Sequence, residues 1–209
     1  MTVPALDEIP DELVRRQDED DDGLFYRPAR LVTHIDDPAI AALRAFYATR
    51  LHPGDDVLDL MSSHVSHLPD GPVLGHVVGH GMNAEELAAN PRLDRHFVRD
   101  LNRTPVLPFT DGSLDVVLCC VGIQYLCRPV TVFAEVRRAL RPGGRVLVSF
   151  SNRCFPTKAV AAWLDADMPG RARYVRQVLL RAGFPAPVPT VLADGRAGDP
   201  LVLIESALF

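Results

Sequence analysis

The chain has 209 residues and a mass of 22.9 kDa, enough for one large domain with a substantial core. Hydrophobic residues make up 47% and charged residues 23%, with a mean hydropathy of +0.06, the balance of a globular protein. The longest uncharged apolar stretch, Val116 to Cys127, holds 12 residues, short of the ~20 that a membrane helix needs.

The net charge of −5 is unevenly spread: residues 1–22 carry nine acids against Arg15 and Arg16, and the other 187 residues carry 20 basic and 18 acidic groups. A near-neutral body without a basic stripe excludes nucleic acid as the expected partner, because phosphate binding needs clustered Lys and Arg. The run QDEDDD reads as a solvated block, so residues 1–22 are expected to form an acidic, disordered tail and residues 23–209 a single domain. The opening residues lack a basic flank leading into an apolar run, which argues against a secretory signal and sets the expectation of a cytoplasmic protein with no membrane partner.

The cysteines, Cys119, Cys120, Cys127 and Cys154, form no CxxC pair and are expected as reduced, buried thiols. His64 and His67 are three residues apart but have no third ligand at a recognisable spacing, so no metal site is expected.

In chain order, the first clear element is a helix from Pro38 to Leu51, with Ile40, Leu43, Tyr47 and Leu51 on one face and Asp37 as its cap. A buried strand follows at 55–61, with Asp59 as its one internal acid. A second strand is expected at 73–79, then a short helix over 84–90 opened by Asn83 and stopped by Pro91. Strands at 96–101 and 114–122 flank the turn-rich stretch NRTPVLPFTDGS. A helix carrying Val130, Phe133, Arg137 and Leu140 closes on Pro142-Gly143-Gly144, and a fifth strand spans 145–151. Another amphipathic helix carries Tyr174, Val175, Val178, Leu179 and Ala182, and the last residues read as a β-hairpin around the turn DGRAGD. Strands alternating with helices predict an α/β fold in which ligands sit beyond the carboxyl ends of a parallel sheet.

The segment LPFTDGSLDVVLCCVGIQYLCRPVTVFAEVRRALRPGGRVLVSFS, residues 107–151, resembles the small-molecule class I methyltransferases that use S-adenosylmethionine, especially the ubiquinone- and menaquinone-biosynthesis branch. The resemblance spans about residues 38–209. It implies a Rossmann-like fold: a mostly parallel seven-stranded sheet with an antiparallel C-terminal hairpin and helices on both faces. It implies a transferase acting on a small molecule, with S-adenosylmethionine as cofactor; the oligomeric state is left open.

Two departures from the family pattern stand out. The loop after the first strand, expected as D-x-G-x-G-x-G, reads Asp59-Leu60-Met61-Ser62-Ser63-His64-Val65 and has none of the three glycines. The helix after it looks shortened, because Pro69, Asp70, Gly71 and Pro72 follow closely. After the second strand, Gly81 takes the position of the acid that receives the ribose hydroxyls. These losses keep open a second function, a methyltransferase-like binding or regulatory protein that no longer methylates or that holds a modified adenosyl ligand.

Carried over residue by residue, the resemblance assigns cofactor contacts to Asp59, Met61, Ser62, Ser63, Met82, Asn83, Asp100, Leu101, Asn102, Cys119 and Cys120. Asp100 is expected at the adenine amino group. His64 and His67 are candidate general bases, and Tyr125 a candidate catalytic group. Tyr26, Arg27, Arg30 and His34, in a 23–37 segment read as a substrate lid, are candidate substrate contacts, as are Asn152 and Arg153 after the fifth strand.

Overall fold

A computed structural model gives the structure of the protein, with residues 8–209 described. Two single helical turns, α1 (Asp11–Val14) and α2 (Asp22–Phe25), precede the first long helix, α3 (Asp37–Ala48). The α3 cap lies one residue earlier than expected: the Asp36 carboxylate accepts from the Ala39 amide at 3.0 Å, and Asp37 occupies the first helical position. The chain then runs through β1 (Val57–Leu60), β2 (Val77–Gly81), α4 (Ala84–Ala88), β3 (Arg95–Val98), β4 (Leu114–Cys120), α5 (Pro129–Ala139), β5 (Leu140–Ser151), α6 (Ala161–Leu164), α7 (Met168–Arg181), β6 (Val188–Ala193) and β7 (Leu201–Ala207).

The strands form one seven-stranded sheet in the order β3-β2-β1-β4-β5-β7-β6. The first five are mutually parallel, whereas β7 runs antiparallel to both β5 and β6, as the terminal hairpin requires. Alternate residues of each strand feed two cores. On one face Leu58, Leu60, Val117, Val146 and Val148 pack with Phe133 of α5, Trp163 of α6 and Val178 of α7. On the other, Val57, Val116, Leu118 and Leu147 pack with Leu43 and Tyr47 of α3. The carboxyl ends of β1, β2, β3 and β4 therefore open at one edge between two filled layers.

Several boundaries differ from expectation for local reasons. Residues 73–76 close a turn instead of starting β2: a Cβ on Gly75 would lie 2.6 Å from the Gly54 carbonyl oxygen, so backbone packs directly on backbone there. Strand β3 ends at Val98, leaving Asp100 in the turn beyond it. Strand β5 starts at Leu140, which pairs with Leu114; Pro142-Gly143-Gly144 loops out before Arg145 rejoins at Val116, with Gly143 at φ 80°. No helix separates β1 from β2 among the described residues, so the expected shortened helix is absent. Pro69 and Pro72 lack amide donors there, and Ser62, Ser63 and Ser66 turn to side-chain hydrogen bonds.

The acidic N-terminal segment is a larger correction. Residues 1–7 lie outside the described residues, but 8–22 pack on the domain instead of extending into solvent. Ile9 and Val14 enter the core, and the Glu8 carboxylate accepts from the amide and hydroxyl of Thr131, both at 2.6 Å. Lys158, the single lysine of the chain, has no exposed side-chain surface; its ammonium donates to the Asp20 carbonyl at 2.9 Å and lies 3.1 Å from both Asp18 and Asp22. Arg16 reaches both Asp22 oxygens at 2.8 Å, and Asn102 adds a third donor at 3.0 Å. The run of acids thus supplies the counter-charges that a buried lysine demands. Burial alone would raise the Asp22 carboxyl, but bonds from Arg16, Asn102 and Lys158 hold it below the ordinary value.

Replacing Asp22 with Ala leaves Lys158 and Arg16 without their shared partner and is expected to cost about 3–5 kcal/mol, read from the urea unfolding midpoint. Because its folded pKa is depressed, the Asp22 contribution is complete above the ordinary carboxylate range and fades as pH falls through the folded value. An unchanged midpoint in Asp22→Ala would show that the segment does not anchor the fold.

Candidate functional site

A cavity of about 510 Å³ occupies the carboxyl edge of the parallel strands. Its floor is built by Met61–Ser63 after β1, Gly81–Asn83 after β2, Arg99–Asn102 after β3 and Cys120–Gly122 at the end of β4. Tyr26 and Val32–His34 form the roof, Asn152–Pro156 close the side next to β5, and Asp22 reaches in from the N-terminal segment.

The backbone after β1 makes the glycine-like bend without glycine. Met61 sits at φ 59°, a region that costs an L-residue roughly 1–2 kcal/mol, so its neighbours must hold it there. His80 does so. Its Nδ1 accepts from the Met61 amide at 3.1 Å and its carbonyl accepts from the Ser62 amide at 2.6 Å. With Nδ1 accepting, the ring proton lies on Nε2, which donates to the Arg99 carbonyl at 2.9 Å. Burial pushes His80 down to about 4, keeping the neutral tautomer that this bridge needs.

Glycine is needed opposite the loop instead of within it. A Cβ on Gly122 would lie 2.8 Å from Met61 Cβ, and a Cβ on Gly81 would lie 2.6 Å from the Ser62 carbonyl oxygen. Position 81 therefore has no room for the acid expected there. Asn83 does not replace it, because its Oδ1 caps α4 through the Glu85 and Glu86 amides and its Nδ2 donates to the Tyr26 and Arg27 carbonyls.

The cavity brings together Tyr26, His34, Met61, Ser62, Ser63, Met82, Asn83, Asp100, Leu101, Asn102, Cys120, Tyr125, Asn152 and Arg153 among the expected residues. Six others lie off its wall. Asp59 turns away to accept from the hydroxyls of Ser62 and Ser66; burial, the dominant influence, raises its carboxyl to about 6 against those two bonds. Cys119 is fully buried, and its thiol is pushed up by burial. His67 lines a small inner chamber with Asp59 and Tyr47; burial lowers it to about 4, and its Nδ1 has no hydrogen-bond partner among the described residues. His64 is half-buried, 3.5 Å from the Ser63 hydroxyl. The Arg27 carbonyl accepts from Asn83 Nδ2, and the Arg30 guanidinium lies over the Phe25 ring at 4.6 Å and donates to the Phe25 carbonyl.

Tyr125 shapes the wall without titrating usefully. Its hydroxyl accepts from the Phe155 amide at 2.9 Å, its ring stacks on Phe155 at 5.8 Å, and burial raises it to about 12. His34 is the histidine that faces the β5 side of the cavity, edge-on to Phe155 at 5.5 Å; burial lowers its pKa while Glu86 pulls it up, so it is neutral near pH 7. At the β3 end, Asp100 Oδ1 accepts from the Asn102 amide at 2.9 Å, and Oδ2 has no protein donor among the described residues. A carboxylate oxygen free to accept, beside the apolar Leu101 and Leu126, fits the amino edge of a purine. No group of His, Cys, Asp and Glu able to hold a metal occurs among the described residues.

Sequence reasoning missed Asp22, His80, Glu86 and Phe155. Asp22 was hidden inside the acidic run, and Glu86 inside a helix-start motif. The position of Glu86, on the first turn after the second strand, was the available signal.

This geometry defines an α/β protein with a nucleoside-sized cavity at the switch between β1 and β4. The sequence profile of a family described as methyltransferase domain matches residues 62–148. A demethylmenaquinone methyltransferase of Beutenbergia cavernae is 33% identical over 145 residues, which cover 66% of this chain but 55% of that protein. The chain thus spans about half the length of this relative. Among solved structures, a methyltransferase in complex with the Trm112 activator of Haloferax volcanii superposes with a TM-score of 0.62 at 17% identity, covering 82% of this chain and 90% of its own. The cyclase SpnF superposes equally well, TM-score 0.62 at 14% identity, covering 87% and 89%, and shares the fold. In the sequence of residues 62–148 and in its overall fold the chain is similar to class I S-adenosylmethionine-dependent methyltransferases. No described helix is long and apolar enough to cross a membrane.

Two outcomes follow from the loop. Gly81→Asp, which restores the acid of the family pattern, is expected to lower stability by about 1–3 kcal/mol in thermal unfolding, because the side chain displaces Ser62. Between about pH 4 and 6 the unfolded chain binds two protons that folded His67 and His80 refuse, while folded Asp59 holds one that the unfolded chain releases. These three groups make stability fall on acidification by about 1.4 kcal/mol per pH unit, and Asp59→Asn, which removes the opposing proton, is expected to steepen the fall measured in urea titrations by about as much again. An unaltered slope would contradict the raised Asp59 pKa.

Proposed function

We propose that the protein transfers a methyl group from S-adenosylmethionine to a small molecule. The observation that carries this reading is the single cavity joining a free carboxylate oxygen at Asp100 to an aromatic and polar chamber at His34, Phe155, Asn152 and Arg153. Asp100, Leu101 and Asn102 would hold the adenine end, and the main chain of Met61, Cys120 and Val121 would meet the amino-acid end. When bound, the cofactor supplies an electrophilic methyl on sulfur.

The chain's own residues then align and deprotonate. Phe155, backed by Tyr125, offers a flat wall to an apolar acceptor, and Tyr26, Val32 and His34 in the 23–37 lid exclude water above it. His34, neutral near pH 7, is positioned to take a proton from an acceptor hydroxyl or amine, the role first assigned to His64 and His67. Arg153 gives the open side a positive charge for an anionic substituent. The near-neutral body and the absence of a basic stripe support a small acceptor over nucleic acid.

The second reading, a methyltransferase-like protein that no longer methylates, draws on the glycine-free loop, the blocked position 81 and the shared fold of a cyclase. Titration calorimetry separates the two. S-adenosylmethionine and S-adenosylhomocysteine are both expected to bind, and Asp100→Ala to weaken both by roughly tenfold or more. No heat from either ligand at millimolar concentration would reject the enzyme reading.

A further inference from the structure

The Glu86 carboxylate deepens this reading and rests on it. Its side chain lines the cavity on the first turn of α4, in a residue only 8% exposed. Oε1 accepts from the Arg30 amide at 2.7 Å, and Oε2 accepts from the Ser63 hydroxyl at 2.6 Å. Each oxygen keeps one further acceptor position, and no arginine or lysine lies within ion-pair distance among the described residues. A buried carboxylate with unspent lone pairs and no counter-ion is costly unless further donors reach it.

Asp100 apart, whose one free oxygen is assigned to the adenine end, the other candidates for a pair of hydroxyl donors are closed or spent. Position 81 is blocked by the Ser62 carbonyl, and Asn83 uses both ends of its amide within the protein. Asp22 is saturated by Arg16, Lys158 and Asn102. Adjacent hydroxyls on a five-membered ring present two O–H donors at the span of one carboxylate.

We propose that Glu86 receives the vicinal hydroxyls of the adenosyl ligand, moving the acid of this site from the end of β2 to the first turn of α4. The donors that already hold Glu86 come from the roof, through Arg30, and from the β1 loop, through Ser63. A ligand bound to the same carboxylate therefore joins roof, loop and helix at one point, and ribose recognition tightens the lid.

Calorimetry with S-adenosylhomocysteine and its 2′-deoxy and 3′-deoxy forms tests this. Wild type is expected to bind the deoxy forms roughly tenfold or more weakly than the parent. Glu86→Gln, which keeps an acceptor for the Arg30 amide, is expected to lose parent affinity by a similar factor and to bind all three alike. Its melting temperature checks that the fold persists; should that variant not fold, Glu86→Asp, which withdraws the charge by one methylene, is expected to show the same levelling. Wild type that binds all three ligands equally, or a folded variant that still discriminates among them, overturns the proposal. Wild type that binds none of them rejects the methyltransferase reading itself, and this proposal with it.

Discussion

A carbonyl oxygen resting where Gly81 carries no side chain governs the shape of the whole cavity. The contact lets the loop after β1 lean onto β2 more closely than any other residue would allow. That approach makes His80 the fastener of two consecutive amides and tolerates a methionine in the left-handed region. It also removes the strand-end acid, since the backbone oxygen and a carboxylate cannot share one space. The glycine-poor loop and the missing acid, which look like two independent losses, are one geometric event.

A second constraint comes from charge. Lys158 is buried at the foot of the roof, and a buried ammonium needs anions and carbonyls around it. The N-terminal acids meet that need and at the same time deliver Asp22 and Tyr26 to the cavity. Neutralisation and site construction are accomplished by the same 15 or so residues, so the segment is part of the domain.

The sheet was legible in the sequence because apolar strand runs and cap residues carry local signals. Val57–Leu60, Leu114–Cys120 and the terminal hairpin fall close to where their patterns put them, as does the Asn83 cap. Leu107-Pro108-Phe109 also has a structural reason: Arg138 donates to the Leu107 and Phe109 carbonyls while Glu135 accepts from the Leu107 amide. What escaped was long-range. Nothing near Asp18–Asp22 announces a lysine far downstream, and a charge run is ordinarily solvated. Asp59 followed the family pattern in sequence, yet two serines draw it to the inner side of its loop. The histidines His64 and His67 sit on the expected loop, but the loop's lean against β2 turns them from the main cavity, and the distant His34 faces it instead.

The anchoring of the roof also sets an order of events during chain growth. Asp20 and Lys158 are separated by 138 residues, and the N-terminal arm has no sheet of its own to join. Contacts of such sequence separation form late, after the loop-closure entropy has been met by the strands between them. On a ribosome residues 8–22 must wait for β5 and the start of α6 before they find their place. The chamber therefore closes only after the five parallel strands have been made, and until then the floor of the cavity stands without its roof.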